Sequence, residues 1–258
     1  MKLYLRFFAM HLKCQMQYKV SFFFTAIGQF LVAFTTVLTV HFLFERFGSV
    51  GGFSSYEAML GFAVIVASYS IGAFFGRGFD RFPRMISDGS FDRALVRPRS
   101  PIFQVLASEI NFARVGATAQ SLLVFFYVLP RVGVEWNALR VLVLVLMVAC
   151  GSILFFSFFI LYGAFAFFTI EGLEFLHILT SGAREHGRLP FSAYGEGVLR
   201  FLTFVIPLAL VQYYPLLFLI GRENSMFYAI MPLFSLLFLL PCYALFRFGL
   251  KRYHSTGS

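Results

Sequence analysis

Six stretches of this 258-residue chain are almost wholly apolar, at 22–44, 58–75, 113–129, 138–168, 199–220 and 226–246. A helix needs about 20 mostly apolar residues to cross a bilayer. In lipid, helices and closed barrels are the only folds that satisfy every backbone polar group. The chain is therefore predicted to be all-α, a polytopic membrane protein with six transmembrane helices. The second stretch contains no charged residue. The fourth, 138–168, is too long for one untilted crossing. It is either a long tilted helix or a hairpin turning near 151–157, and the lack of any charge at such a turn favours the single helix. Composition agrees: 59% of residues are apolar, 13% are charged and 38 are Phe. A soluble domain of this size has about a quarter of its residues charged and could not bury so much apolar surface. Residues 1–258 read as a single transmembrane domain.

The net charge of +9 would suggest nucleic acid in a soluble protein. Here it sorts by side of the membrane, which argues against a nucleic-acid partner. With the N-terminus in the cytosol, only Arg46, Arg131, Arg140 and Arg222 fall outside, against seventeen of the 21 Lys and Arg within. That asymmetry is the positive-inside pattern, and it puts both termini in the cytosol. Arg184, Arg188 and Arg200 then belong to a second inner loop. If 138–168 were a hairpin, the split would weaken to fourteen against seven. Cys14, Cys150 and Cys242 have no metal-ligand spacing and read as buried hydrophobes. Arg6, His11, Lys13 and Lys19 interrupt the first apolar run, which argues against a cleavable signal peptide. Residues 1–20 instead form an amphipathic interfacial helix, with Lys2, Arg6, Lys13 and Gln17 in one stripe.

The first inner loop, 76–101, is the one long stretch rich in both signs of charge. Ser87, Asp88 and Gly89 read as a turn. Ser90 can cap a short helix containing Phe91, Asp92, Ala94 and Leu95, which Pro98 terminates. The expectation is a docking helix between spans 2 and 3, with Phe91 and Leu95 as an exposed apolar knob. In spans 5 and 6, Pro207, Pro215, Pro232 and Pro241 break the helical pattern. Gln212, Tyr213 and Tyr214 lie between the first two of these and are candidates to line a translocation path, with Gln29 and His41 in span 1. Glu109 and Arg114 read as an interfacial pair.

The loop sequence GFDRFPRMISDGSFDRALVRPRSP (78–101) resembles the first inner loop of type-2 ATP-binding-cassette permeases, in the viologen-exporter-like permease branch. The runs FFTIEGLEF (167–175) and FVIPLALVQYYPLLFLIGR (204–222) resemble the same branch, so the likeness covers nearly the whole chain. The resemblance implies an exporter permease of the bacterial inner membrane, and a role in coupling for Asp88, Gly89, Phe91, Asp92, Leu95, Arg97 and Pro98. It also implies an ATPase partner subunit and a second permease, identical or paralogous, alongside membrane lipid. The chain has no Gly-Lys dipeptide, so a phosphate-binding loop must come from the partner. No cofactor is expected on this chain, and ATP and Mg are expected on the ATPase.

Two other classes compete. A lipid-modifying membrane enzyme could use Asp88-Gly89 and Asp92, but the only other Asp is Asp80, too few for paired hard cations. A secondary transporter would show intramembrane acids or matching broken helices in both halves. Glu174, His177, Glu185 and His186 have no compact ligand spacing and read as a solvated loop.

Overall fold

The computed structural model describes residues 2–169 and 176–255. Glu171, Glu174 and most of the 167–175 run lie outside the described residues. The helices in chain order are α1 (Lys2–Met16), α2 (Lys19–Phe47), α3 (Ser55–Asp80), α4 (Phe82–Ser87), α5 (Ser90–Leu95), α6 (Pro101–Ser108) and α7 (Arg114–Val128). They continue with α8 (Ala138–Phe165), α9 (Ala183–His186), α10 (Glu196–Phe204), α11 (Tyr213–Leu219), α12 (Met226–Ser235) and α13 (Leu239–Lys251). A 3₁₀ turn, Leu236–Phe238, joins the last two. The described residues contain no strand, only an isolated Val50–Phe53 bridge.

Four helical runs are long and apolar enough to cross a membrane: Lys19–Phe47, Ser55–Ser87, Ala138–Phe165 and Met226–Lys251. The fourth apolar stretch is one continuous helix, as its lack of a charged turn predicts. The 15-residue α7 is shorter than a full crossing.

α3 is the centre of the bundle and packs along α8. Small residues permit a close approach, as they do between membrane helices generally. A Cβ on Gly72 would come 2.8 Å from Phe155 Cβ, and one on Gly76 would enter the Phe159 ring. Two clusters fill the interior. One, toward the C-terminal end of α3, includes Phe79, Phe82, Phe91, Phe158 and Phe246. The other, toward its N-terminal end, includes Phe44, Phe53, Met59 and Met147. The end of the bundle holding α4–α6 is called the basic end below.

At the opposite end, α3 starts with a capping box. The Ser54 N–H donates to Glu57 Oε2 at 2.7 Å and the Glu57 N–H donates to Ser54 Oγ at 3.4 Å. Arg222 closes over this turn, donating to the Gly52 carbonyl (2.6 Å) and to Glu57 Oε2 (2.7 Å).

The expected fifth spanning helix, 199–220, does not form. Residues 205–212 separate α10 from α11 and are not helical. Pro207 and Pro215 lack the amide hydrogen that a continuous helix would use. The segment that runs the length of the bundle is 176–194, expected as part of the second inner loop. His177 stacks by Tyr162 near the basic end of α8 (5.0 Å between centroids), and Ser181 Oγ lies 3.3 Å from the Tyr69 hydroxyl. Gly187 packs against Ile65, and Ser192 reaches Gly51 at the opposite end. Residues 196–219 then form a hairpin that dips back into the bundle. At its tip, the Ala209 N–H donates to the Leu202 carbonyl at 2.8 Å, and Val211 fits beside Gly151 of α8. Arg184, Arg188 and Arg200 are therefore not on a loop at the basic end.

Candidate coupling site

α4 and α5 form a helical corner at the basic end. Gly89 sits in the left-handed region (φ 68°, ψ 5°), which glycine adopts without a Cβ penalty. Asp88 Oδ1 accepts from the Ser90 N–H at 2.9 Å, so the turn over 87–89 forms as expected. The capping role shifts, however. Ser90 lies inside α5 and its hydroxyl donates to the Met85 carbonyl at 3.3 Å. Asp88 supplies the acceptor instead. Hydrogen bonds from Ser90, with Arg93 and Arg84 nearby, hold the Asp88 carboxyl below the usual carboxylate range.

Phe91 is not an exposed knob. It is 0% exposed, with ring centroids 4.8 Å from Phe82, 5.2 Å from Tyr253 and 5.9 Å from Phe167. An aromatic ring next to two other apolar helix ends loses water contact by joining them. The residues left exposed at the tip are Leu95 (38%) and Val96 (84%). Arg97 and Pro98 follow them and are also exposed.

Asp92 faces the C-terminal tail. The Tyr253 hydroxyl donates to Asp92 Oδ1 at 3.0 Å, and Ser255 Oγ donates to Oδ2 at 2.7 Å. Burial, followed by the Asp92 contact, pushes the Tyr253 hydroxyl up to about 12. Gln104 ties the exit of α5 to α6 by donating to the Ala94 (2.8 Å) and Arg99 (3.1 Å) carbonyls. The corner is thus fastened to α13 by Phe82, which meets Phe246, to the tail by Phe91 and Asp92, and to α6 by Gln104.

The five path candidates are not brought together. His41 lines a cavity of about 390 Å³ between α2 and α7, with Phe34 and Tyr127 among its neighbours. Gln212 is 2% exposed and donates from Nε2 to the Gly187 carbonyl at 3.1 Å. Tyr213 packs against Phe53 (6.0 Å between centroids) and edge-on to Tyr214 (5.3 Å), and the Tyr214 hydroxyl lies 3.1 Å from Thr203 Oγ1. Gln212, Tyr213 and Tyr214 thus hold the dipping hairpin in place.

Gln29 belongs to a polar cluster that sequence reasoning missed. Its Oε1 accepts from Arg114 Nη1 at 3.0 Å, and Arg114 Nη2 donates to the Tyr69 hydroxyl at 3.3 Å. The guanidinium carbons of Arg114 and Arg184 lie 5.0 Å and 5.2 Å from the Tyr69 ring centroid, within cation–π range. The expected Glu109–Arg114 pair does not form. Glu109 pairs with Arg81 (2.8 Å) and Arg77 (3.7 Å) instead. Glu185 pairs with Arg184 and Arg188, so it is engaged rather than solvated. The signal was an arginine opening an apolar run, but its partners lie 45 and 85 positions away.

The family model described as ABC-2 family transporter protein matches residues 30–257. Neither a curated protein nor a solved structure matches the chain. The match takes in the helical corner at 82–95, the close-packed α3–α8 pair and the dipping hairpin. On that match the chain, a transmembrane transporter protein, belongs to the ABC-2 family.

Proposed function

We propose that this chain is the permease subunit of an ATP-driven exporter and that a separate ATPase docks on the α4–α5 corner. The observation that carries the reading is the exposed Leu95–Val96 tip on a helix fastened to the rest of the molecule through buried Phe91. A force applied at the tip reaches α3 through α4, and α13 through the Phe91–Phe82–Phe246 ring contacts. Interfaces and packed cores transmit such displacements as rigid-body shifts. In this reading Leu95, Val96, Arg97 and Pro98 meet the ATPase. Asp88 and Gly89 shape the corner, and Phe91 and Asp92 anchor it.

ATP and Mg bind the partner, and two permeases, identical or paralogous, enclose the path. Six crossings follow if α7 and 176–194 each count as one. Both termini then lie in the cytosol of a bacterial inner membrane. The 78–101 sequence supports the viologen-exporter-like branch.

The test is a pull-down of the tagged chain from its native membrane, with mass spectrometry of what co-purifies. A Walker-type ATPase recovered with the wild type and lost with Val96→Asp, at unchanged chain yield, is the expected result. Recovery of the chain alone would overturn the reading.

A further inference from the structure

A cavity of about 500 Å³ opens at the basic end between α1, α5 and α6. That volume is within the range of small-molecule sites, about 300–1,000 Å³. Arg93, Arg97 and Arg99 line it together with Leu3, Phe7 and Phe103, and no carboxylate among the described residues does. None of the three arginines makes an ion pair among the described residues, although Arg93 is close enough to Asp88 to favour its charged form. The cavity is therefore cationic on one side and apolar on the other.

The α1 wall is fixed, because its side chains reach across to α6 and the residues after it. His11 Nε2 lies 2.9 Å from the Ala107 carbonyl, and Gln15 Nε2 donates to the Ile110 carbonyl at 3.0 Å. Tyr4 and Phe7 pack edge-on to Phe103. α1 is also amphipathic, the pattern of a helix lying in the membrane interface. Leu5, Met10 and Met16 remain exposed on it.

We propose that this cavity binds the phosphodiester headgroup of an anionic phospholipid. The arginines hold the phosphate, and the acyl chains leave along Leu3, Phe7 and Phe103 beside α1. Guanidinium donors match phosphate oxygens in geometry as well as charge. Basic pockets on the cytoplasmic side of membrane proteins take anionic headgroups by this chemistry. A lipid fits better than an acidic face of the ATPase. Of the four docking residues only Arg97 lines the cavity, Leu95, Val96 and Pro98 do not, and the interfacial helix α1 forms one wall of it. Because the site touches both α1 and α5, an occupied headgroup would brace the coupling corner against the membrane. The inference goes beyond the coupling reading and does not depend on an ATPase being present.

The test uses the full chain in nanodiscs of mixed phosphatidylcholine and phosphatidylglycerol, extracted and read by native mass spectrometry. Wild type is expected to retain phosphatidylglycerol over phosphatidylcholine, and added inorganic phosphate should not displace it. The combined Arg93→Gln, Arg97→Gln, Arg99→Gln variant is expected to lose that preference about a hundredfold, since each surface arginine adds about fivefold to anionic-lipid affinity. The corresponding triple Lys variant should keep most of the preference, which separates lost charge from lost fold. Removing Arg247, Lys251 and Arg252 to Gln deletes as many charges from the same end and should leave the preference intact. Equal retention of phosphatidylglycerol by wild type and the Gln variant would overturn the proposal. So would displacement by inorganic phosphate, which would mark a free-anion site. Loss of a co-purified ATPase with lipid retention unchanged would also overturn it, by assigning the arginines to the partner.

Discussion

α3 and the segment 176–219 run side by side through one bundle, and only α3 is continuous. α3 has no proline between Ser55 and Asp80, and its small residues let α8 lie close. Segment 176–219 is divided among a π-helical turn at Ile178–Gly182, α9, a 3₁₀ turn at Phe191–Tyr194, α10 and α11. Its freed backbone groups are met from within the protein, as the Gly187 carbonyl is by Gln212. Irregular backbone at membrane depth survives only where protein or water satisfies it. The contrast separates a continuous element joined to the helical corner from a jointed one held by buried apolar residues and a few polar contacts.

The largest expected effect is at the corner that extends the continuous element. Phe91→Asp puts a carboxylate among Phe82, Phe167 and Tyr253, at a cost upwards of ~3 kcal/mol. It should abolish recovery of folded chain in size-exclusion chromatography. A normal elution profile would mean that the corner is not packed as described. Next is Gly76→Leu, whose side chain collides with Phe159. Overpacking should cost ~1–3 kcal/mol and lower the melting temperature in detergent. Gly197→Leu in α10, with nothing within 4 Å of its Cβ site, should leave it unchanged. Equal effects at the two glycines would erase the contrast between the elements.

A smaller, local effect is expected from Gln212→Leu. It removes the donor to the Gly187 carbonyl, worth ~1 kcal/mol. Hydrogen exchange should speed up around residues 183–213 and stay unchanged in α3. Uniform acceleration would show that the jointed segment is not independent of α3. The smallest effect is on the tail. Tyr253→Phe should weaken coupling of ATP use to transport, with little change in melting temperature. Its wild-type hydroxyl is neutral when folded and its value is raised to about 12. The contact to Asp92 is therefore complete below the unfolded value near 10, and is lost as pH rises through about 12. The difference between wild type and Tyr253→Phe should be flat from about pH 6 to 9.

Legibility in the sequence followed the range of the interactions. α8 was readable as one helix because no charge marks a turn within 138–168. The Asp88–Gly89 turn was readable because local backbone chemistry decides it. The segment 176–194, which runs the length of the bundle, was not. Arg184, Glu185 and Arg188 look like a solvated loop until Glu185 is seen between two arginines and Arg184 beside Tyr69. The hairpin at 196–219 looked like a span because hydropathy does not register a broken helix, although Pro207 and Pro215 hinted at one. Phe91 looked exposed because the rings covering it come from Phe167 and Tyr253, far along the chain.

Docking of an ATPase on the Leu95–Val96 tip is the role proposed for the helical corner. Its most direct test is cross-linking in native membranes, using Val96→Cys in a Cys14→Ser background, with Leu142→Cys on the exposed face of α8 as the control position. The expected result is an adduct between position 96 and a Walker-type ATPase, and none from position 142. No adduct from position 96, or equal adducts from both, would contradict it.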